Sequence, residues 1–70
     1  MNTKNNRRKR ESIEKIERAF VGLLHKKGLA QISVSDICKI SGLNRSTFYA
    51  NYADIYELAD TIREKLENSL

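Results

Sequence analysis

Arg45, Ser46, Thr47 and Tyr49 place a guanidinium, two hydroxyls, a methyl group and a phenol within five positions. A guanidinium offers a planar fork of donors that matches the O6 and N7 acceptors of guanine, and a threonine methyl can meet the methyl group of thymine. Tyr49, one helical turn beyond Arg45, is spaced to send its phenol to a phosphate. Asn44 just before this run, Asn51 at its end and Ser35 ten residues upstream of Arg45 join the candidate set. Ahead of them stand Lys4, Arg7, Arg8, Lys9 and Arg10 with no acid among residues 1–10. Arg7, Arg8, Lys9 and Arg10 are candidates for neutralising a sugar–phosphate backbone.

Other chemistries lack their parts. No nucleophile–base pair, metal-ligand cluster or phosphate-cradling glycine loop is present, so no catalytic residue, metal or cofactor is expected and the chain does not read as an enzyme. Seventy residues leave little room for a deep substrate cavity beside a core. Cys38 is the single cysteine, which excludes an internal disulfide and a cysteine-rich zinc site. It reads as a small buried packing residue, His25 as a solvent-exposed side chain, and Glu11, Glu14 and Glu17 as a solvated helix face.

Charge is divided unevenly along the chain. Residues 1–45 carry eleven basic side chains against four acidic ones, whereas residues 46–70 carry two against five. The basic part should face a polyanion and the acidic part should face away. No apolar run approaches the length of a membrane span or a signal-peptide core, so a soluble, cytoplasmic protein is the expectation.

The elements that must position these groups read as helices. Proline is absent and glycine occurs only at positions 22, 28 and 42, a composition that favours an all-α fold. Residues 1–9 read as a flexible basic arm and residues 10–70 as one domain. Ile13, Ile16, Ala19, Phe20, Leu23 and Leu24 recur at spacings of three and four, which predicts an amphipathic helix near 10–27. Lys26 and Lys27 would complement its dipole and Gly28 would supply a left-handed cap. Ser33 and Asp36 form a capping box for a short second helix near 34–41, with Ile32 and Ile37 as a staple and Ile37 and Ile40 facing inward. Gly42 ends it. Asn44 caps a third helix near 45–52. Asp54 and Glu57 form another capping box and open a fourth helix near 54–69, with a stripe of Ile55, Leu58, Ala59, Ile62, Leu66 and Leu70. The expected core is Ile16, Phe20, Leu23, Ile37, Leu43, Phe48, Tyr52, Leu58 and Ile62.

Two short helices joined at Gly42-Leu43-Asn44, with small Cys38 between them and Ile37, Leu43 and Phe48 packing beneath, match the requirements of a helix-turn-helix. In that geometry the second helix lies in the major groove with its first residues at base edges. The stretch from Ile13 to Leu58 resembles the DNA-binding domain of TetR-family regulators. The resemblance rests on Ile16, Ala19, Phe20, Leu23, Gly28, Ser33-Val34, Asp36-Ile37, Gly42-Leu43-Asn44, Thr47-Phe48-Tyr49, Tyr52 and Leu58, in that order. It implies sequence-specific binding of double-stranded DNA in transcriptional regulation, most often as a repressor, by a homodimer on a near-palindromic operator. It also implies a larger C-terminal domain that binds a small-molecule effector and holds the dimer, so that these 70 residues alone would be mainly monomeric. The family often has alanine where Cys38 stands, phenylalanine where Tyr52 stands, and a phosphate-touching lysine where Ile55 stands. The last difference suggests a weaker backbone grip by the fourth helix.

The expected fold is therefore a small all-α bundle, a three-helix helix-turn-helix core plus the start of a fourth helix, homeodomain-like in its outline. Two alternatives share it: a helical protein-interaction module, and another class of helix-turn-helix reader such as a homeodomain-like domain. A basic membrane-surface helix is disfavoured by the three glutamates of the first helix.

Overall fold

The computed structural model describes residues 3–68, with side chains from Arg7 onward. Four α-helices follow one another: α1 Thr3–Leu24, α2 Val34–Ser41, α3 Arg45–Asn51 and α4 Ile55–Asn68, with a 3-10 turn at Leu29–Gln31. Among the described residues there is no strand. The all-α bundle expected from composition and periodicity is the fold observed.

The first helix departs most from expectation. It begins at Thr3, so from that residue the basic segment belongs to α1 and does not precede it as an arm; Met1 and Asn2 lie outside the described residues. Lysine and arginine are good helix formers. Arg7 and Glu11, and likewise Arg10 and Glu14, are spaced one turn apart, where opposite charges support a helix. No glycine or proline interrupts the run before Gly22. At its other end α1 stops at Leu24, and the amides of Lys26 and Lys27 both turn back to the Leu23 carbonyl at 2.9 Å. Gly28 is not left-handed: its φ of −72° and ψ of 160° are open to any residue. Lys27 does not serve the end of α1 either. Its ammonium reaches across to Asp36 on α2 at 2.9 Å.

Ser33 and Asp36 close the expected capping box on α2, each bonding the other's amide at 3.1 Å. Lys27 and the Ser33 amide together hold the Asp36 carboxyl below the usual carboxylate range. Gly42, with φ of 78°, is the one described residue in the left-handed region, and its amide closes α2 on the Cys38 carbonyl at 2.9 Å. The α4 cap is shifted by one residue: Asp54 accepts from the Glu57 amide at 2.9 Å, but Glu57 reaches back to the Ala53 amide.

The core comprises Ile16, Ala19, Phe20, Leu23, Ile32, Ile37, Phe48, Tyr52, Ile55 and Leu58, and Leu43, Cys38 and Ile62 pack against it partly buried. Leu24, Ile40 and Leu66, expected on inward stripes, are exposed. A helix of eight residues such as α2 buries only a narrow strip, and Ile37 occupies it. Leu70 lies outside the described residues. Glu17 is not merely solvated, because its carboxylate takes the Lys65 ammonium at 2.7 Å and ties α1 to α4. Ile55 is buried at the start of α4, which is thus fastened there by apolar contact.

Candidate nucleic-acid interface

Phe48 fixes the orientation of α3. Its side chain is fully buried, and its ring lies 5.7 Å from that of Tyr52. Burying that side of a seven-residue helix leaves Arg45, Ser46, Tyr49 and Ala50 on the exposed side, with Thr47 and Asn51 half-buried at its edge. The sequence-predicted reading segment is therefore presented outward as one surface. Tyr49 stands out from it, and its ring meets Phe48 edge-on at 5.4 Å, so the same side chain is anchored at its base and accessible at its phenol.

The start of α3 is held by Asn44. Its Oδ1 accepts from the Thr47 amide at 3.0 Å, the Thr47 hydroxyl at 2.9 Å and the Ser46 hydroxyl at 2.8 Å. The acceptor of Asn44 is thus committed to the cap, which leaves its amide hydrogens for any outside partner. Both hydroxyl protons are committed too, so Ser46 and Thr47 face outward as acceptors. Asn51 donates to the Thr47 carbonyl at 2.9 Å. Arg45 Nη2 donates to Ser35 Oγ, so the corner joins the first turn of α2 to the first residue of α3.

Arg8, Lys9 and Ser12 of α1 line an open groove of about 450 Å³ together with Ser46, Thr47, Ala50 and Asn51 of α3. The continuation of α1 to Thr3 brings these cations to the flank of α3. Arg10 borders the adjoining depression with Ile13, Glu14, Glu17 and Lys65, and Lys9 lines both. Arg7 is exposed and lines neither groove. Ser12 and Ala50 were not among the sequence candidates. The spacing of Arg8 and Ser12, one helical turn, would have flagged Ser12 had the helix been extended through residues 3–9.

His25 is exposed and Cys38 half-buried. Among the described residues no group of three or more His, Cys, Asp or Glu side chains could hold a metal ion. No described helix is long and apolar enough to cross a membrane. Comparison with known proteins finds no family model, no curated protein and no solved structure that matches the chain.

Proposed function

We propose that this chain reads double-stranded DNA in a sequence-specific manner, with α3 in the major groove, as the DNA-binding part of a TetR-like transcriptional regulator acting in the cytoplasm, most simply a repressor. The observation that carries the reading is the groove in which Arg8 and Lys9 flank the outward face of α3. It sets cations beside polar side chains of α3, which supports a reading in which the first neutralise a phosphate backbone and the second meet base edges. Phosphate contacts position a protein on the duplex, and base-edge contacts specify the sequence. Arg8, Lys9 and the Tyr49 phenol take the first role. Arg45, Ser46 and Thr47 take the second, with the amide groups of Asn44 and Asn51 at the edge. In the full regulator two copies would read a near-palindromic operator, and a single head is expected to bind more weakly because it forfeits the linkage of two sites.

The test begins with selection of preferred sites from random duplexes, followed by affinities on the selected and a random duplex at several salt concentrations. Arg45→Ala should lose roughly 1–3 kcal/mol on the selected site and little on random DNA. Tyr49→Phe should weaken both about equally. Replacing Arg8 and Lys9 by glutamine should weaken both and flatten the salt dependence by about 0.9 in slope for each phosphate no longer neutralised. If the wild-type chain shows no duplex affinity with a steep salt slope, a helical protein-interaction module takes the place of this reading.

A further inference from the structure

Ser35, in the first turn of α2, lends itself to the role of a phosphate contact. The structure gives its oxygen a different task, because Ser35 Oγ accepts from Arg45 Nη2, ten positions along the chain and on the next helix. Both side chains are exposed. They meet because the α2–α3 crossing, set by buried Ile37 and Phe48 and by the left-handed turn at Gly42, brings the two helix starts together.

We propose that Ser35 is a positioning residue for Arg45 and determines specificity through it. This rests on the DNA-reading assignment above. A guanidinium has five N–H donors in a fixed plane. Ser35 engages one at Nη2, and the four that remain include a parallel pair able to meet guanine O6 and N7. Holding a long, freely rotating side chain in place before binding reduces the freedom it gives up on the duplex, which is the general effect of preorganisation. The neighbouring Asp36 carboxylate is engaged elsewhere through Oδ2, which takes the Lys27 ammonium and the Ser33 amide.

The experiment compares wild type, Ser35→Ala, Ser35→Thr, Arg45→Ala and the Ser35→Ala/Arg45→Ala double variant. Each is measured on the selected duplex and on a random duplex of equal length, after thermal melts establish that all are folded. Ser35→Ala should lower the selected-to-random affinity ratio about threefold to tenfold, the range of one ordinary hydrogen bond, with an unchanged salt slope. Ser35→Thr should restore the ratio, and Ser35→Ala should have no further effect once Arg45 is alanine. A uniform loss on both duplexes would make Ser35 a phosphate contact and overturn the proposal, as would an unchanged ratio; the salt slope stays the same in either case, because a hydroxyl neutralises no phosphate. Nitrogen relaxation at Arg45 Nε in the DNA-free protein reads the contact directly, with a restricted guanidinium in wild type and a mobile one in Ser35→Ala. Equal mobility in the two proteins overturns the positioning role even if DNA binding is confirmed. A restricted guanidinium in a protein without duplex affinity overturns the specificity role through failure of the DNA reading itself.

Discussion

Asn44 is where stability and recognition can be separated with two substitutions. Its side-chain oxygen caps α3 by accepting the Thr47 amide at 3.0 Å, and it also gathers the hydroxyls of Ser46 and Thr47. Asn44→Ala removes the acceptor. Loss of an N-cap costs about 1 kcal/mol, within a range of roughly 0.5–2. The released hydroxyls of Ser46 and Thr47 are at the surface and can turn to water, so they add little to that figure. In a domain of this size 1 kcal/mol lowers Tm by about 4–8 °C. The loss matters because total stability at this length is only on the order of 4–10 kcal/mol, and because α3 has only seven residues.

Asn44→Asp keeps the acceptor and adds a negative charge, which the start of a helix favours. Its Tm should therefore equal or exceed that of wild type. On the proposed function the same charge would face the duplex, so its DNA affinity should fall, and fall most at low salt, where charge interactions are least screened. Circular dichroism melts and binding titrations at two salt concentrations test both halves. An Asn44→Ala protein that melts within about one degree of wild type would refute the cap as the support of α3. An Asn44→Asp protein that binds as tightly as wild type at low salt would refute the orientation of α3 toward DNA.

Three further outcomes follow from the backbone and from titration. Gly22→Ala should raise stability by about 0.5–1 kcal/mol, since the position is an exposed helix interior with open space around an added Cβ; Gly42→Ala, with equal space but φ of 78°, should lower it by about 1 kcal/mol, and denaturant melts of the two should move in opposite directions. Asp36 has its pKa lowered by Lys27 and Ser33, so its contribution is present above the ordinary aspartate range and lost as pH falls through the lower folded value; the Tm gap between wild type and Asp36→Asn should be widest near neutrality and should close below about pH 4. Tyr52 is pushed up to about 12, first by burial and then by Glu17 and Glu57. The folded state then keeps a proton that the unfolded chain loses near pH 10, so stability should decline between about pH 10 and 12, and Tyr52→Phe should flatten that decline in alkaline melts.

The parts of the fold legible in the sequence are those that carry local punctuation. Ser33 with Asp36 states where α2 begins, Gly42 where it ends and Asn44 where α3 begins, because each satisfies a helix-end amide or carbonyl through its own side chain or backbone. The observed bounds of α2, α3 and α4 accordingly fall within a residue of those expected. The start of α1 carries no such mark. Charge alone argued for an arm there, whereas helix propensity and an uninterrupted run decided the backbone. Gly28 shows the reverse error: a glycine after a helix suggests a left-handed cap, but here the chain leaves α1 through turn bonds to the Leu23 carbonyl and needs no special conformation at position 28.

The candidate site divides along the same line. Which residue types face outward from α3 follows from the spacing of Phe48 and Tyr52 on its other side, and so was readable. What those side chains touch was not, because it depends on how helices cross. Ser35 and Arg45 are ten positions apart, on separate helices, and no periodicity pairs them. Arg8 and Ser12 reach α3 only because α1 runs on past its apolar stripe, a fact carried by the geometry of a polar segment. Arg10, two residues from Arg8, is turned by helical geometry toward Glu14, Glu17 and Lys65 instead. The turn of α1 sets Arg8 at the flank of α3, Lys9 between the two depressions and Arg10 toward Lys65 of α4, so neutralising Arg10 should disturb duplex binding less than neutralising Arg8, although composition treats the two as equivalent.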